Sequence, residues 1–100
     1  MTEEALIFEV GESGFDRYVI DNSHQVPVLV EFMGVWSEPC AVLADSLGDL
    51  AKAFAGQFVF AKVDIDEQPG LRERYSIENV PTLVVFRDGE VALTQAGQLQ

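Results

Sequence analysis

The residues best suited to chemistry are Ser37 and Cys40, which stand three positions apart in the stretch VWSEPC. A Cys-x-x-Cys pair at the start of a helix exchanges disulfides, because the helix dipole and free N–H groups favour a thiolate at the first cysteine, and the second resolves the mixed disulfide. Here the first position is serine, and Cys40 is the single cysteine of the chain. An intrachain disulfide is therefore impossible, and a hydroxyl replaces a thiolate only with a strong base beside it.

No such base is evident in the sequence. The one histidine, His24, lies far upstream in DNSHQVP, so a Ser-His-Asp triad is not supported. One cysteine and one histidine also cannot complete a zinc site within a chain. The sequence therefore predicts no metal and no cofactor.

The composition restricts the partners. Hydrophobic residues make up 48% of the 100 positions, which is enough for one small packed domain over residues 1–100. The net charge of −11 disfavours nucleic acid and membrane surfaces as partners, because both require a basic surface. The acidic N-terminus does not resemble a signal peptide, and no segment approaches the ~18 apolar residues of a membrane span. The expected compartment is the cytoplasm.

Hydrophobic periodicity predicts an alternation of strands and helices, closed by a hairpin at Asp88-Gly89. Strands separated by helices indicate a parallel core, and the hairpin indicates an antiparallel edge pair. Leu43, Leu47, Leu50 and Phe54 are predicted to form one apolar stripe of the helix that Ser37 caps, and Asp66 is expected to cap the next helix. The predicted strands are 6–10, 28–33, 58–63, 82–86 and 90–95. The predicted helices are 15–22, 67–75 and a long helix between its cap Ser37 and its stop Gly56.

The chain resembles thioredoxin over essentially its whole length. VLVEF…VWSEPC is similar to the family's strand followed by Trp-Cys-Gly-Pro-Cys, and VDIDEQPGLRERYSIENVPTLVVFRDGE resembles the family's later half almost position by position. The resemblance implies the α/β thioredoxin fold, a mixed central sheet flanked by helices, with the C-terminal helix missing. It also makes Val80-Pro81-Thr82 the family's cis-proline loop, which lines a peptide-binding groove.

The departures from the family pattern bear on function. Ser37 stands at the position of the attacking cysteine, and Cys40 at that of the resolving one. Glu38 replaces the motif glycine and adds negative charge that works against a thiolate. Glu31 matches the family's buried aspartate, so it is either a proton shuttle or an inherited buried carboxylate without a catalytic task.

Ser-x-x-Cys followed by GQFVFAKVDIDEQ is most similar to bacterial thioredoxin-like proteins with a tetratricopeptide tail. This resemblance implies a role in redox homeostasis and protein quality control, as a holdase that binds unfolded or oxidised clients through the cis-Pro groove and works with other chaperones. The expected client-binding residues are Val35, Trp36, Ile77, Val80 and Pro81, of which Trp36 and the Val80-Pro81 pair are expected to be exposed.

Two alternatives remain open at this stage. Cys40 could form mixed disulfides with clients as a one-cysteine redox protein, or it could be an inert buried residue. Ser37 could also mark a Cys-to-Ser trap variant of a protein-disulfide reductase. The change at Glu38 argues against the trap, because such a variant normally alters only the cysteine.

Overall fold

A five-stranded mixed sheet organises the computed structural model, which describes residues 7–97. The strand order is β1-β3-β2-β4-β5, with β1, β3 and β2 parallel and with β4 and β5 antiparallel to their neighbours. This is the predicted mixed sheet, although Leu6, the predicted start of the first strand, lies outside the described residues. The strands are β1 (Ile7–Glu9), β2 (Val28–Met33), β3 (Val59–Asp64), β4 (Thr82–Arg87) and β5 (Glu90–Ala96).

The direction of β4 differs from the parallel arrangement that alternating strands and helices predict. The connection between β3 and β4 contains helix α2 (Pro69–Arg74). It returns the chain to the end of the sheet where β3 stops, so β4 runs antiparallel to β2. Thr82 pairs with Phe32, and Met33 pairs with Asp64, so three loops meet at this end.

One face of the sheet is covered by the segment predicted as a helix over 15–22. It forms a π-helical stretch, Asp16–Asp21, followed by a 3₁₀ turn, Asn22–His24. Phe15, Val19 and Ser23 are all buried, and their spacing of four residues keeps them on one side of a helix wound more widely than 3.6 residues per turn. The apolar spacing thus predicted a helix here, but it did not predict that the helix would be π-helical and end in a 3₁₀ turn.

Helix α1 (Glu38–Ala53) covers the opposite face of the sheet. Its buried side includes Leu43, Leu47 and Ala51, whereas Leu50 and Phe54 are each 38% exposed, so the predicted four-residue stripe is wrong in its second half. Leu50 lies about 60° around the helix from Leu47, and Phe54 follows the last helical residue. None of the helices in residues 7–97 is long and apolar enough to cross a membrane.

The closing hairpin has the predicted backbone. Asp88 and Gly89 both have positive φ angles, 54° and 83°, as a tight two-residue turn requires. Ser23 anchors this turn, because its hydroxyl accepts from the Gly89 N–H at 2.7 Å and donates to the Ile20 carbonyl at 2.6 Å. All seven residues of β5 are exposed.

Candidate functional site

Ser37 is the N-cap of α1, as predicted. Its backbone is extended, with φ −92° and ψ 119°, and its Oγ accepts a hydrogen bond from the Cys40 N–H at 3.3 Å. Pro39 follows in the first turn, where a missing N–H costs nothing. The position that carries the attacking thiol in a Cys-x-x-Cys motif therefore holds a buried capping hydroxyl.

Cys40 is buried, with 4% of its surface exposed. It lies in the first turn of α1, on the side of the helix that packs on the sheet. Because a thiol must be reached before it exchanges, Cys40 is shielded from large substrates in this conformation. The sequence alone leaves its exposure open, and the fold decides it.

A cavity of about 640 Å³ lies between α1 and the β1–β3–β2 part of the sheet. Its polar lining includes Ser37, Cys40, Glu31 and Lys62, and its apolar walls include Ile7 and Leu47. Cys40 thus borders a partly open space whose lining also includes the Glu31 carboxylate and the ammonium groups of Lys52 and Lys62. These are the groups through which a proton could reach or leave the thiol.

Glu31 is the carboxylate of this cavity, and only 6% of its surface is exposed. Burial raises its pKa from 4.5 to about 6, and the Lys62 ammonium partly offsets the increase. A carboxyl group with this pKa changes protonation between pH 5 and 7, which is the range a proton shuttle needs.

Lys62 is a residue that sequence reasoning missed. It pairs with Glu31 in the parallel register of β2 and β3, so both side chains point to the same face of the sheet. The available signal was its position in FVFAKV, where a charge interrupts an otherwise apolar strand. Glu31 interrupts the apolar strand β2 in the same way, so the argument that applies to Glu31 applies to Lys62.

Trp36 is held outside the cavity at the end of the sheet. It is 66% exposed, and its Nε1 donates to Asp66 Oδ2 at 2.6 Å. Asp66 was predicted to cap α2, but this prediction is wrong: the N-cap is Gln68, and the Asp66 carboxylate accepts from the indole. The carboxylate of Asp64 instead accepts from the N–H groups of the loop, at 2.9 Å from residue 66 and 3.4 Å from Glu67.

Gly34 makes room for the indole. A Cβ at this position would lie 2.7 Å from Cε2 of Trp36 and 2.9 Å from its Nε1, closer than side chains pack. The neighbouring Val35 is 78% exposed. Two large apolar side chains, one of them anchored, are therefore presented to solvent directly before the motif.

The cis-proline loop lies at the same end of the sheet. The Val80–Pro81 bond is cis, as the resemblance implied. Pro81 and Ile77 are buried, however, so the expectation that Pro81 is exposed is wrong. Ile77 packs into the core, and Thr82 Oγ1 donates to the Asn79 carbonyl at 2.6 Å to close the loop. Only Val80, which is half-buried, adds apolar side-chain surface here.

Residues 6–100 match the family model described as Thioredoxin, a span that includes the whole sheet, the capped helix and the cis-proline loop. The chain belongs to the thioredoxin family. It is 35% identical over 91 residues to thioredoxin of Rhodospirillum rubrum and 33% identical over 93 residues to thioredoxin of Buchnera aphidicola. These alignments cover 91% and 93% of this chain, and 86% and 84% of the relatives.

Plant relatives match a smaller part of their own length. The chain is 48% identical over 65 residues to thioredoxin M4, chloroplastic, of Arabidopsis thaliana, which is 65% of this chain and 34% of that protein. It spans 44% of the M-type chloroplastic thioredoxin of spinach. This thioredoxin-family chain can form one mixed disulfide at most, because it carries no second thiol to resolve it.

Proposed function

We propose that this chain is a thioredoxin-like client-binding domain that holds unfolded or oxidised proteins without dithiol reductase activity. The observation that carries the proposal is the contrast across the motif: Ser37 and Cys40 are buried, whereas Val35 and Trp36 just before them are exposed. Val35, Trp36 and Val80 together are called the motif surface below. Exposed apolar groups at one end of a domain are typical of protein-binding sites.

The geometry of the loops supports a binding role for this surface. The loop after β2 carries Val35 and Trp36, and the loop before β4 carries Val80; both leave the sheet beside the Phe32–Thr82 pair. The hydrogen bond to Asp66 restrains the indole before any partner arrives. A preorganised aromatic side chain loses little conformational entropy on binding, so its burial favours affinity.

The absence of a second thiol argues against reductase catalysis by this chain. Reduction of a client disulfide requires a thiolate to attack and a second thiol to release the product. Ser37 cannot attack, and an attack by Cys40 would leave the client covalently attached. Protein quality control through binding is therefore the function that this site supports best, with the cytoplasm as its proposed location.

The test measures aggregation of a chemically denatured client in the presence of this chain, Trp36→Ala and Leu93→Ala. Leu93 is an exposed apolar residue of β5, so its truncation is a matched control. We expect the native chain and Leu93→Ala to suppress aggregation, and Trp36→Ala to suppress it less. If Trp36→Ala and Leu93→Ala lose the same amount of aggregation suppression, the motif surface is not a specific binding site. If neither the native chain nor a variant suppresses aggregation, client holding by this chain is refuted.

A second candidate is a one-cysteine redox protein, and a specific observation favours it. Cys40 and Glu31 line the same cavity, and the pKa of about 6 would let Glu31 accept the thiol proton near neutral pH. This candidate predicts that holding after mild oxidant treatment disappears in Cys40→Ala. If Cys40→Ala holds clients as well as the native chain and neither reduces insulin, binding alone is the function.

A further inference from the structure

The surroundings of the motif surface are strongly acidic. Three segments meet at this end of the sheet, residues 34–40, 64–69 and 76–82, and together they contain five carboxylates and no lysine or arginine. Asp64 is buried, and its carboxylate accepts hydrogen bonds from N–H groups of the loop. The four exposed carboxylates are Glu38, Asp66, Glu67 and Glu78.

Arg72 is held at the base of one of these loops. Its Nε donates to the Ile77 carbonyl at 3.2 Å, which ties the guanidinium to the backbone beside Glu78. Lys62 points into the cavity under α1. Arg74 pairs with Asp16 at 3.0 Å on another part of the molecule. Arg72 lies beside Glu78, but the three segments themselves contribute no lysine or arginine, so carboxylates predominate around the exposed apolar side chains.

We propose that the motif surface selects client segments that combine apolar residues with lysine or arginine. Apolar client side chains would pack on Val35 and Trp36, while the client's cations would lie near the carboxylates of Glu38 and Glu78. Segments rich in aspartate or glutamate would be repelled. The inference rests on the proposed function, and it specifies the class of client that the site accepts.

Carboxylates lie close to the motif surface in the sequence. This supports selection of basic client segments at that surface, as distinct from a general attraction of cations to the whole acidic molecule. Glu38 is two residues from Trp36, and Glu78 is two residues from Val80, so each carboxylate belongs to the same loop or turn as an apolar residue of the motif surface. The overall charge of −11 attracts cations to the whole molecule, but that attraction is screened within about 10 Å at 0.1 M salt. Carboxylates inside the contact would distinguish clients at higher salt than remote carboxylates would.

The experiment uses three labelled peptides of equal length and equal apolar content, in which three positions are lysine, glutamine or glutamate. Fluorescence anisotropy gives the Kd of each peptide at low and physiological salt. We expect the lysine peptide to bind about tenfold more tightly than the glutamine peptide at low salt, and the glutamate peptide to bind most weakly. Salt should reduce this preference without removing the binding of the glutamine peptide.

Two double variants with the same change in net charge separate local from global effects. Glu38→Gln/Glu78→Gln removes carboxylates beside the motif surface, and Asp21→Asn/Glu90→Gln removes exposed carboxylates near the opposite end of the sheet. The first should abolish most of the lysine preference, and the second should keep it. Equal effects of the two variants would overturn the proposal.

The outcomes also separate this inference from the function on which it rests. If all three peptides bind with similar Kd and Trp36→Ala weakens each of them, the motif surface binds clients and only the charge selection is refuted. If no peptide binds the native chain, the client-binding function and the inference both fail. Tighter binding of the glutamate peptide would overturn the proposal, because the surface would then select acidic client segments and not basic ones.

Discussion

The Oγ atom of Ser37 accepts a hydrogen bond from the backbone N–H of Cys40 at 3.3 Å, so a helix cap joins the two ends of the motif where a disulfide would lie in a Cys-x-x-Cys protein. This bond satisfies one of the free N–H groups at the start of α1. It also uses the serine hydroxyl as an acceptor in a buried position. The same residue change that removes the attacking thiol thus contributes to the stability of the helix.

Replacing Ser37 with alanine should lower the free energy of unfolding by about 1 kcal/mol, because the N-cap bond is lost. Ser46→Ala is the matched control, since Ser46 is an exposed serine within the same helix and should change stability by less than about 0.5 kcal/mol. Urea denaturation of both variants measures the difference. Equal stability of the two variants would show that the cap does not contribute.

The Cys40 thiol should react with a thiol-specific reagent about 100-fold more slowly in the native chain than in urea, because access requires a local opening that costs about 3 kcal/mol. The control places a thiol on the surface, as Val35→Cys in a Cys40→Ala background, and should react nearly as fast as an unfolded chain. Stopped-flow labelling measures both rates. Rapid native labelling of Cys40 would contradict its burial and favour the one-cysteine redox function.

Glu31→Gln should increase stability at neutral pH. The folded pKa of about 6 lies above the ordinary value of 4.5, so the folded state favours the protonated acid, and the ionised form costs about 2 kcal/mol at pH 7.5. The native chain should therefore lose stability as pH rises from 4.5 to about 7, whereas the variant should not show this loss.

The control for Glu31 is Glu9→Gln, which changes an exposed carboxylate on β1. Denaturation at pH 4.5, 6 and 7.5 gives the stability difference between each variant and the native chain. The difference for Glu31→Gln should grow by about 2 kcal/mol from pH 4.5 to 7.5, and that for Glu9→Gln should stay small. A pH-independent difference for Glu31→Gln would mean that its carboxyl group titrates normally.

Gly34→Ala should displace Trp36, since the added Cβ would lie 2.7 Å from the indole ring. The hydrogen bond to Asp66 should break, and client binding should weaken. Trp36 is the only tryptophan of the chain, so its fluorescence spectrum reports the displacement directly. Gly48→Ala is the control, because no atom lies within 4 Å of its added Cβ, and alanine favours a helix interior by about 1 kcal/mol. An unchanged Trp36 spectrum in Gly34→Ala would refute the packing argument.

Local sequence patterns were sufficient to predict many of the structural elements of the molecule. The strand β2 was predicted at its observed bounds from an apolar run that only Glu31 interrupts, and the hairpin was predicted from Asp88-Gly89. Ser37 was predicted as the cap of α1 because the preference depends on the few residues around it. In each case the decisive interactions join residues that are neighbours in the sequence, so the sequence contains the required information.

Features that depend on distant contacts were decided by the tertiary structure. The direction of β4 depends on its pairing with β2, about 50 residues earlier in the chain, and the burial of Pro81 and Ile77 follows from how their loop packs on the core. Asp66 is bound to Trp36, 30 residues away, and not to the helix that follows it.

The sequence by itself determined the chemistry that is possible: one thiol, no resolving partner, and a carboxylate in a buried strand. Only the folded chain decided that Cys40 is enclosed, that Lys62 stands beside Glu31, and that Trp36 remains at the surface. The physical reason is that burial and pKa depend on which segments pack together, whereas residue type fixes only what each side chain can do.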